Sequence, residues 1–255
     1  MSEQKRDESM TFFRTLIWFI RFWLYQIAAI PLYMKVSRLR KQGRTEEHDA
    51  ILHRIVGKWA KKMFTMAGGQ VEVFGLENLV DGPAVYVANH LSYFDIPLMI
   101  GFLGDDTKPM MAKKQIAKIP GIAAWMRELH CVFVDRSHPR ESVKALKESE
   151  HWLSEGYSMV IFPEGTRSKD GRVHTFKSGA FRIAKKDSVP VVPCVIEGTE
   201  RMMRPGAVWI HPAKVSLTVL KPVQTSDFDK KAWRELPETV RQIIESYREK
   251  QLKRQ

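Results

Sequence analysis

The sequence predicts an α/β protein built on a mainly parallel sheet flanked by helices, with an N-terminal two-helix membrane-anchoring segment. Three observations carry that expectation. Beyond Gly68, short β-branched runs alternate with helical patterns. Polar, chemistry-bearing residues fall just after those runs, where a parallel sheet gathers its functional loops. The first 67 residues differ in texture, being aromatic and apolar with isolated arginines. The chain therefore divides into membrane-associating helices at 1–67 and a catalytic-type α/β domain at 68–255.

Composition narrows the function classes. The 255 residues can bury a sizeable core, and 44% hydrophobic with 27% charged residues is ordinary for a folded globular chain. Two cysteines, Cys131 and Cys194, make neither a disulfide framework nor a Cys-x-x-Cys pair, which points to a reducing compartment and no structural metal. Forty-one basic residues against 29 acidic ones leave a net charge of +12, so the partner surface should be anionic. A nucleic-acid partner is not expected, because the aromatics gather in an apolar N-terminal block and no RNA- or DNA-binding signature appears.

The segment from Thr11 to Met34, TFFRTLIWFIRFWLYQIAAIPLYM, contains two charges, Arg14 and Arg21. A spanning helix wants about 20 mostly apolar residues. Here the longest uncharged run is Phe22 to Met34, and it contains Pro31, which should break or kink the helix. Asp7, Arg14, Arg21 and Lys35 fall on one narrow helical stripe, the pattern of a helix lying in one leaflet with its arginines at the headgroups. No secretory cleavage pattern follows, and the segment is expected to stay attached. The basic run KVSRLRKQGR at 35–44 suits an anionic cytoplasmic leaflet, so the expected location is the cytoplasmic face of a membrane, the inner one in a bacterium. A second helix is expected from Thr45 as N-cap, with Ile51, Leu52, Ile55, Val56, Trp59, Met63 and Met66 at helical spacing. It could pack on the core or lie on lipid.

In the second part the expected strands are Val71 to Phe74, Ala84 to Ala88, Met110 to Ala112, Cys131 to Val134, Met159 to Phe162, Val191 to Ile196 and Val215 to Leu220. Helical patterns fall between them, at about Phe94 to Phe102, Ile119 to Glu128, Pro139 to Glu155 and Ser178 to Lys186, with a polar terminal helix from Lys230.

Two constellations stand at strand ends. In VANHLSYFD, the run YVA stops and Asn89, His90, Ser92 and Asp95 follow. If the intervening residues turn into a helix, Asp95 can accept from one imidazole nitrogen of His90 and leave the other as a base for a hydroxyl. Taken alone, this pattern fits a structural hydrogen bond as well. In IFPEGTRS, Gly165 allows close backbone approach, Thr166 and Arg167 can hold a phosphate, and Glu164 can accept from a hydroxyl. Lys177 and Ser178 open a helix soon after, Lys113, Lys114 and Lys118 crowd MAKKQIAK, and the strand VFV ends in Asp135 and Arg136. Each cluster alone reads as solvated surface; together they read as one phosphate site.

NHLSYFD, FVDR, FPEGTRS and VPVVPC occur in the order and approximate spacing of the four motifs of the glycerolipid acyltransferases, and the chain from Val71 to Gly198 most resembles 1-acylglycerol-3-phosphate (lysophosphatidic acid) acyltransferases. The resemblance implies a glycerol-3-phosphate acyltransferase-like fold, a thioester donor (acyl-CoA or acyl carrier protein) used as co-substrate with no further cofactor, and a membrane lysophospholipid acceptor whose acylation would give phosphatidic acid. By motif matching, His90 would be the base and Asp95 its orienter. Lys113, Arg136 and Arg167 would contact phosphate, and Glu164, Gly165 and Thr166 would line the acceptor site.

The chemistry is coherent without an enzyme nucleophile. The sequence lacks a Gly-x-Ser-x-Gly elbow, both cysteines lie in apolar strand patterns, and no metal motif appears. The alternatives are transfer to another lysolipid such as a lyso-ornithine lipid, transfer to glycerol 3-phosphate, or a non-catalytic basic membrane adaptor. The adaptor gives no reason for His90, Asp95, Glu164 and Arg167 to occur together.

Overall fold

The computed structural model describes residues 3–135 and 137–252, so Arg136 lies outside the described residues. Nine α-helices and seven strands are described: α1 (Glu3–Ala28), α2 (Ile30–Lys41), α3 (Thr45–Met66), β1 (Gly69–Phe74), β2 (Val85–Ala88), α4 (Asp95–Phe102), β3 (Met111–Lys113), α5 (Pro120–Glu128), β4 (Val132–Val134), α6 (Pro139–Ser154), β5 (Met159–Ile161), α7 (Ser178–Lys185), β6 (Val191–Glu197), α8 (Thr199–Met202), β7 (Ala213–Val219) and α9 (Lys230–Leu252). Every strand expected from the sequence is present within two residues of its expected ends. The chain forms two compact units: residues 1–72, 91–107 and 197–216 in one, and residues 73–90, 108–196 and 217–255 in the other.

The sheet has the strand order β1-β7-β6-β2-β5. β2 runs parallel to β5, with Val85 opposite Met159, and parallel to β6, with Val85 opposite Val191. β3 and β4 form a separate parallel pair, joined to β5 by the single parallel bridge between Met110 and Val160. One direction is thus shared by β6, β2, β5, β3 and β4. Their C-terminal ends lie along one edge of the second unit, which is why polar residues distant in sequence collect there. β2 is buried on both faces, as its uninterrupted apolar sequence requires of a central parallel strand. Val85, Val87, Met159, Ile161, Val191 and Val195 form its core with Phe181 of α7 and Leu236, Val240 and Ile244 of α9.

In the first unit the N-terminal region holds three helices, where the sequence predicts two. The break comes at Ala29, and α1 from Ser9 and α2 are bent by 48°. Pro31 stands in the first turn of α2, where its missing N–H costs nothing, so it opens a helix instead of closing one. The run at 35–44 is helical as far as Lys41. Thr45 is not the cap of α3: Arg44 holds that position without a side-chain cap bond, and its guanidinium pairs with Glu47 instead. α3 packs on α4 through Gly101, where an added Cβ would stand 3.0 Å from Lys61 Cγ. Phe64 lies edge-on to Phe94 and Phe102, and Trp18 of α1 donates from Nε1 to Met63 O at 2.9 Å.

α1 is oriented against the usual rule for a soluble helix. Thr11 and Thr15 are buried against its own unit, whereas Phe12, Phe13, Leu16, Ile17, Ile20 and Leu24 are exposed. Among the described residues no single helix is long and apolar enough to cross a membrane; the bent pair of α1 from Ser9 with α2 meets the test by length and composition.

Candidate active site

Within the second unit, His90 follows β2 and is held by the loop after β5. Its backbone N–H donates to Glu164 Oε1 at 2.9 Å, and its carbonyl accepts from the Ser168 N–H at 2.7 Å. Its imidazole stacks on the Phe162 ring, centroids 4.3 Å apart. Just before it, Asn89 extends the β2–β6 ladder with its side chain: Nδ2 donates to Ile196 O and Oδ1 accepts from Ile196 N, both at 2.9 Å. Backbone and ring are therefore anchored at the edge where the parallel strands end.

Glu164 is buried. Its second oxygen accepts from the His174 N–H at 3.3 Å. Burial pushes its carboxyl above the usual range, and the His90 and His174 amides partly oppose this. Expected from the sequence to accept from a hydroxyl, Glu164 straps the loop to the catalytic-type histidine. The loop bends at Gly165, where φ is +77°, a conformation that a side chain resists. Thr166 is exposed and Arg167 half-buried. Downstream, Ser168 Oγ and His174 Nε2 both donate to Asp170 Oδ1 at 2.9 Å, and Lys177 N–H returns to Pro163 O at 3.1 Å, closing the loop before α7. The Arg172 amide, followed by the Ser168 hydroxyl, lowers the Asp170 carboxyl to about 2.

Lys113 is the last residue of β3 and is exposed on the same edge. Lys114 lies 3.5 Å from Asp135. The Ser137 hydroxyl and amide hold the Asp135 carboxyl well below the ordinary range, so Asp135 is committed to the turn that starts α6. Of the sequence-selected residues, this edge brings together His90, Glu164, Gly165, Thr166, Arg167 and Lys113.

Asp95 belongs to the first unit and is wholly buried at the start of α4. Oδ2 accepts from the Leu91 and Ser92 amides at 2.6 and 2.9 Å, folding the turn between the two motif residues, and Oδ1 accepts from the Thr199 hydroxyl. Ser92 Oγ donates to Met203 O at 2.8 Å. The intervening residues 91–94 form a turn, and the helix begins only at Asp95. Thr199 was not selected from the sequence, although it too is a polar residue immediately past a strand. Gly198 delivers it with φ +89°, in a turn where a Cβ would stand 2.3 Å from Lys214 O.

A histidine at a parallel strand end, strapped to a Glu-Gly-Thr-Arg loop, belongs to a known class. The acyltransferase family model matches residues 70–197, and the chain belongs to that family. The chain is 41% identical over 163 residues to a chloroplastic 1-acyl-sn-glycerol-3-phosphate acyltransferase of Arabidopsis thaliana, covering 63% of this chain and 45% of that protein. It is 31% identical over 191 residues to the Saccharomyces cerevisiae 1-acyl-sn-glycerol-3-phosphate acyltransferase, covering 73% of this chain and 63% of that one. The chain thus spans about half the length of the chloroplastic relatives it matches. The crystal structure of the 1-acyl-sn-glycerophosphate acyltransferase PlsC from Thermotoga maritima is similar with a TM-score of 0.80 and 30% identity, over 94% of this chain and 97% of that one.

Proposed function

We propose that this chain transfers a fatty acyl group from acyl-CoA or acyl carrier protein to the free hydroxyl of 1-acylglycerol 3-phosphate, giving phosphatidic acid. One observation carries the reading: the loop bearing Glu164 and Ser168 grips both backbone groups of His90, so two motifs, with Glu164 74 residues from His90, meet at one histidine. In the proposed reaction His90 removes the hydroxyl proton as the oxygen attacks the thioester carbonyl, and Asp95 orients the imidazole and balances its developing charge. The thiolate leaves with its electron pair and takes up the proton. Arg167 and Lys113 meet the acceptor phosphate, and Arg136 is assigned with them on sequence alone. Thr166 and Gly165 line the approach.

The acceptor is a one-chain lipid, and the inverted burial of α1 supports delivery from a bilayer. The enzyme would lie on the cytoplasmic leaflet, with α1 and α2 as a monotopic anchor and their basic residues on anionic headgroups. Purified protein in detergent, given a panel of lysophospholipids with each donor class, tests the reading by product mass. Phosphatidic acid as the dominant product supports it; acylation of lyso-ornithine lipid or glycerol 3-phosphate in its place would reassign the acceptor. A cysteine at Ser9, probed in sealed vesicles with an impermeant thiol reagent, should react from the same side as the catalytic domain; reaction from the opposite side means a spanning anchor.

A further inference from the structure

Residues 203–212, after α8, are pinned to α1. The Ile210 N–H donates to Thr15 Oγ1 at 3.0 Å, and the Trp209 ring lies 6.1 Å from Phe12. Ile210 is wholly buried and Met202 and Met203 are buried upstream, yet Val208 and Trp209 are 57% and 46% exposed. The loop is thus tied down at its base while its tip holds two large apolar side chains outward, beside the bare face of α1 that carries Phe12 and Phe13. Thr11 and Thr15 are both buried, and Thr15 supplies the oxygen that accepts from the loop.

The surroundings are cationic. Arg201 in α8 and Arg204 at the start of the loop are exposed, and Arg14 and Arg21, seven residues apart, run along one edge of the α1 face. An apolar patch rimmed by arginines matches the boundary between acyl chains and anionic headgroups, and tryptophan is suited to that depth because its ring is apolar and its N–H polar. The arginine rim supplies the charge that anionic headgroups would meet around an apolar centre.

We propose that the loop Arg204–Pro212 is a second lipid-docking element, continuous with the exposed face of α1, whose Val208 and Trp209 seat in an anionic phospholipid bilayer. The inference rests on the membrane reading above and adds to it a segment far from the N-terminal helices in sequence. The loop is also the direct continuation of α8, whose Thr199 holds Asp95. Docking therefore acts on the stretch of chain that bears this contact.

The test is co-sedimentation of the full chain with vesicles of phosphatidylcholine containing phosphatidylglycerol, and with vesicles of phosphatidylcholine alone. The double variant Val208→Ser, Trp209→Ala should partition into the anionic vesicles roughly tenfold more weakly than the parent. Its turnover of an acceptor dispersed in detergent should be unchanged, while turnover of acceptor embedded in vesicles falls. Val143→Ala, at an exposed apolar position on α6, should change neither. Wild-type partitioning of the double variant overturns the loop assignment. Phe13→Asp with Leu16→Asp separates the two claims: release by this variant alone means that α1 docks and the loop does not, and release by neither means that the membrane reading itself fails. A dimer in sedimentation that Trp209→Ala dissociates would assign the patch to a second copy and overturn the lipid proposal.

Discussion

Glu164 Oε1 accepts the backbone N–H of His90, and the same carboxylate takes the amide of His174 with its other oxygen. The glutamate therefore fixes the backbone of His90, the proposed base, through its own loop. Glu164→Gln keeps the shape but presents one acceptor where the parent has two. Since a hydrogen bond to a charged group contributes about 1.5–3 kcal/mol, kcat should fall by one to two powers of ten, with KM for the acceptor little changed. A rise in acceptor KM at constant kcat would return Glu164 to the substrate.

The same residue should contribute to the acid side of the pH profile. Burial raises the Glu164 carboxyl above its ordinary 4.5, so the folded protein binds this proton at a higher pH than the unfolded chain does. Ionising Glu164 as pH rises through that window costs stability, yet the ionised form is the stronger acceptor for His90. Protonating Glu164 should lower turnover on acidification at a pH above the ordinary glutamate range, and Glu164→Gln should remove that contribution from the kcat profile.

His90→Ala should lose about two to four powers of ten in turnover, the usual share of a positioned general base, with the melting temperature preserved. Asp95→Asn should lose less. Near wild-type kcat for His90→Ala ends the proposed mechanism.

Thr199 donates to Asp95 Oδ1 from a fully buried site. Thr199→Val removes that donor without changing volume much, and kcat should drop about tenfold at unchanged KM. Thr199→Ser should restore it. Equal loss in both variants would mean packing and not the hydroxyl.

Arg167→Ala should raise acceptor KM about tenfold or more, and the exposed Lys113→Ala less, because water screens it. A shift in donor KM with acceptor KM constant would move these cations to the coenzyme or carrier side.

Burial pushes both the Cys131 and Cys194 thiols up to about 12. Neither supplies a thiolate at neutral pH, so N-ethylmaleimide should leave activity intact while the protein is folded. Above 9, the ordinary thiol value, the unfolded chain ionises where the folded one does not, and stability should fall as pH rises toward 12. Rapid inactivation by the reagent at pH 7 in a folded sample would contradict this.

The alternation of β-branched runs and helical patterns made every strand legible, and the strand-end rule picked out His90, Asp95 and the Glu164–Arg167 loop. The break at Ala29 was misplaced because a proline stops a helix before it but also starts one, and the pattern does not say which. What holds His90 was not legible, since neither the Ser168 amide that meets its carbonyl nor the His174 amide that pins Glu164 carries a residue-type signature. That Glu164 takes two backbone amides was not legible either, because a carboxylate in a polar loop looks alike whether it meets a hydroxyl or a buried amide. Thr199 and the Ile210 contact required the fold: each links segments that nothing in the local sequence relates.

The position of β2 between β5 and β6 also governs when His90 can be set during synthesis. Ala84 at the mouth of the strand bonds a residue 74 positions later, and Asn89 at its end clamps one 107 positions later. As the chain emerges from the ribosome, β2 appears early and stays without either neighbour until Met159 and then Val191 follow. Contacts of such separation form slowly and leave an apolar edge exposed meanwhile. The histidine is thus among the first functional residues made and among the last to be placed, and nascent chains halted before Ile196 should be the ones that need a chaperone.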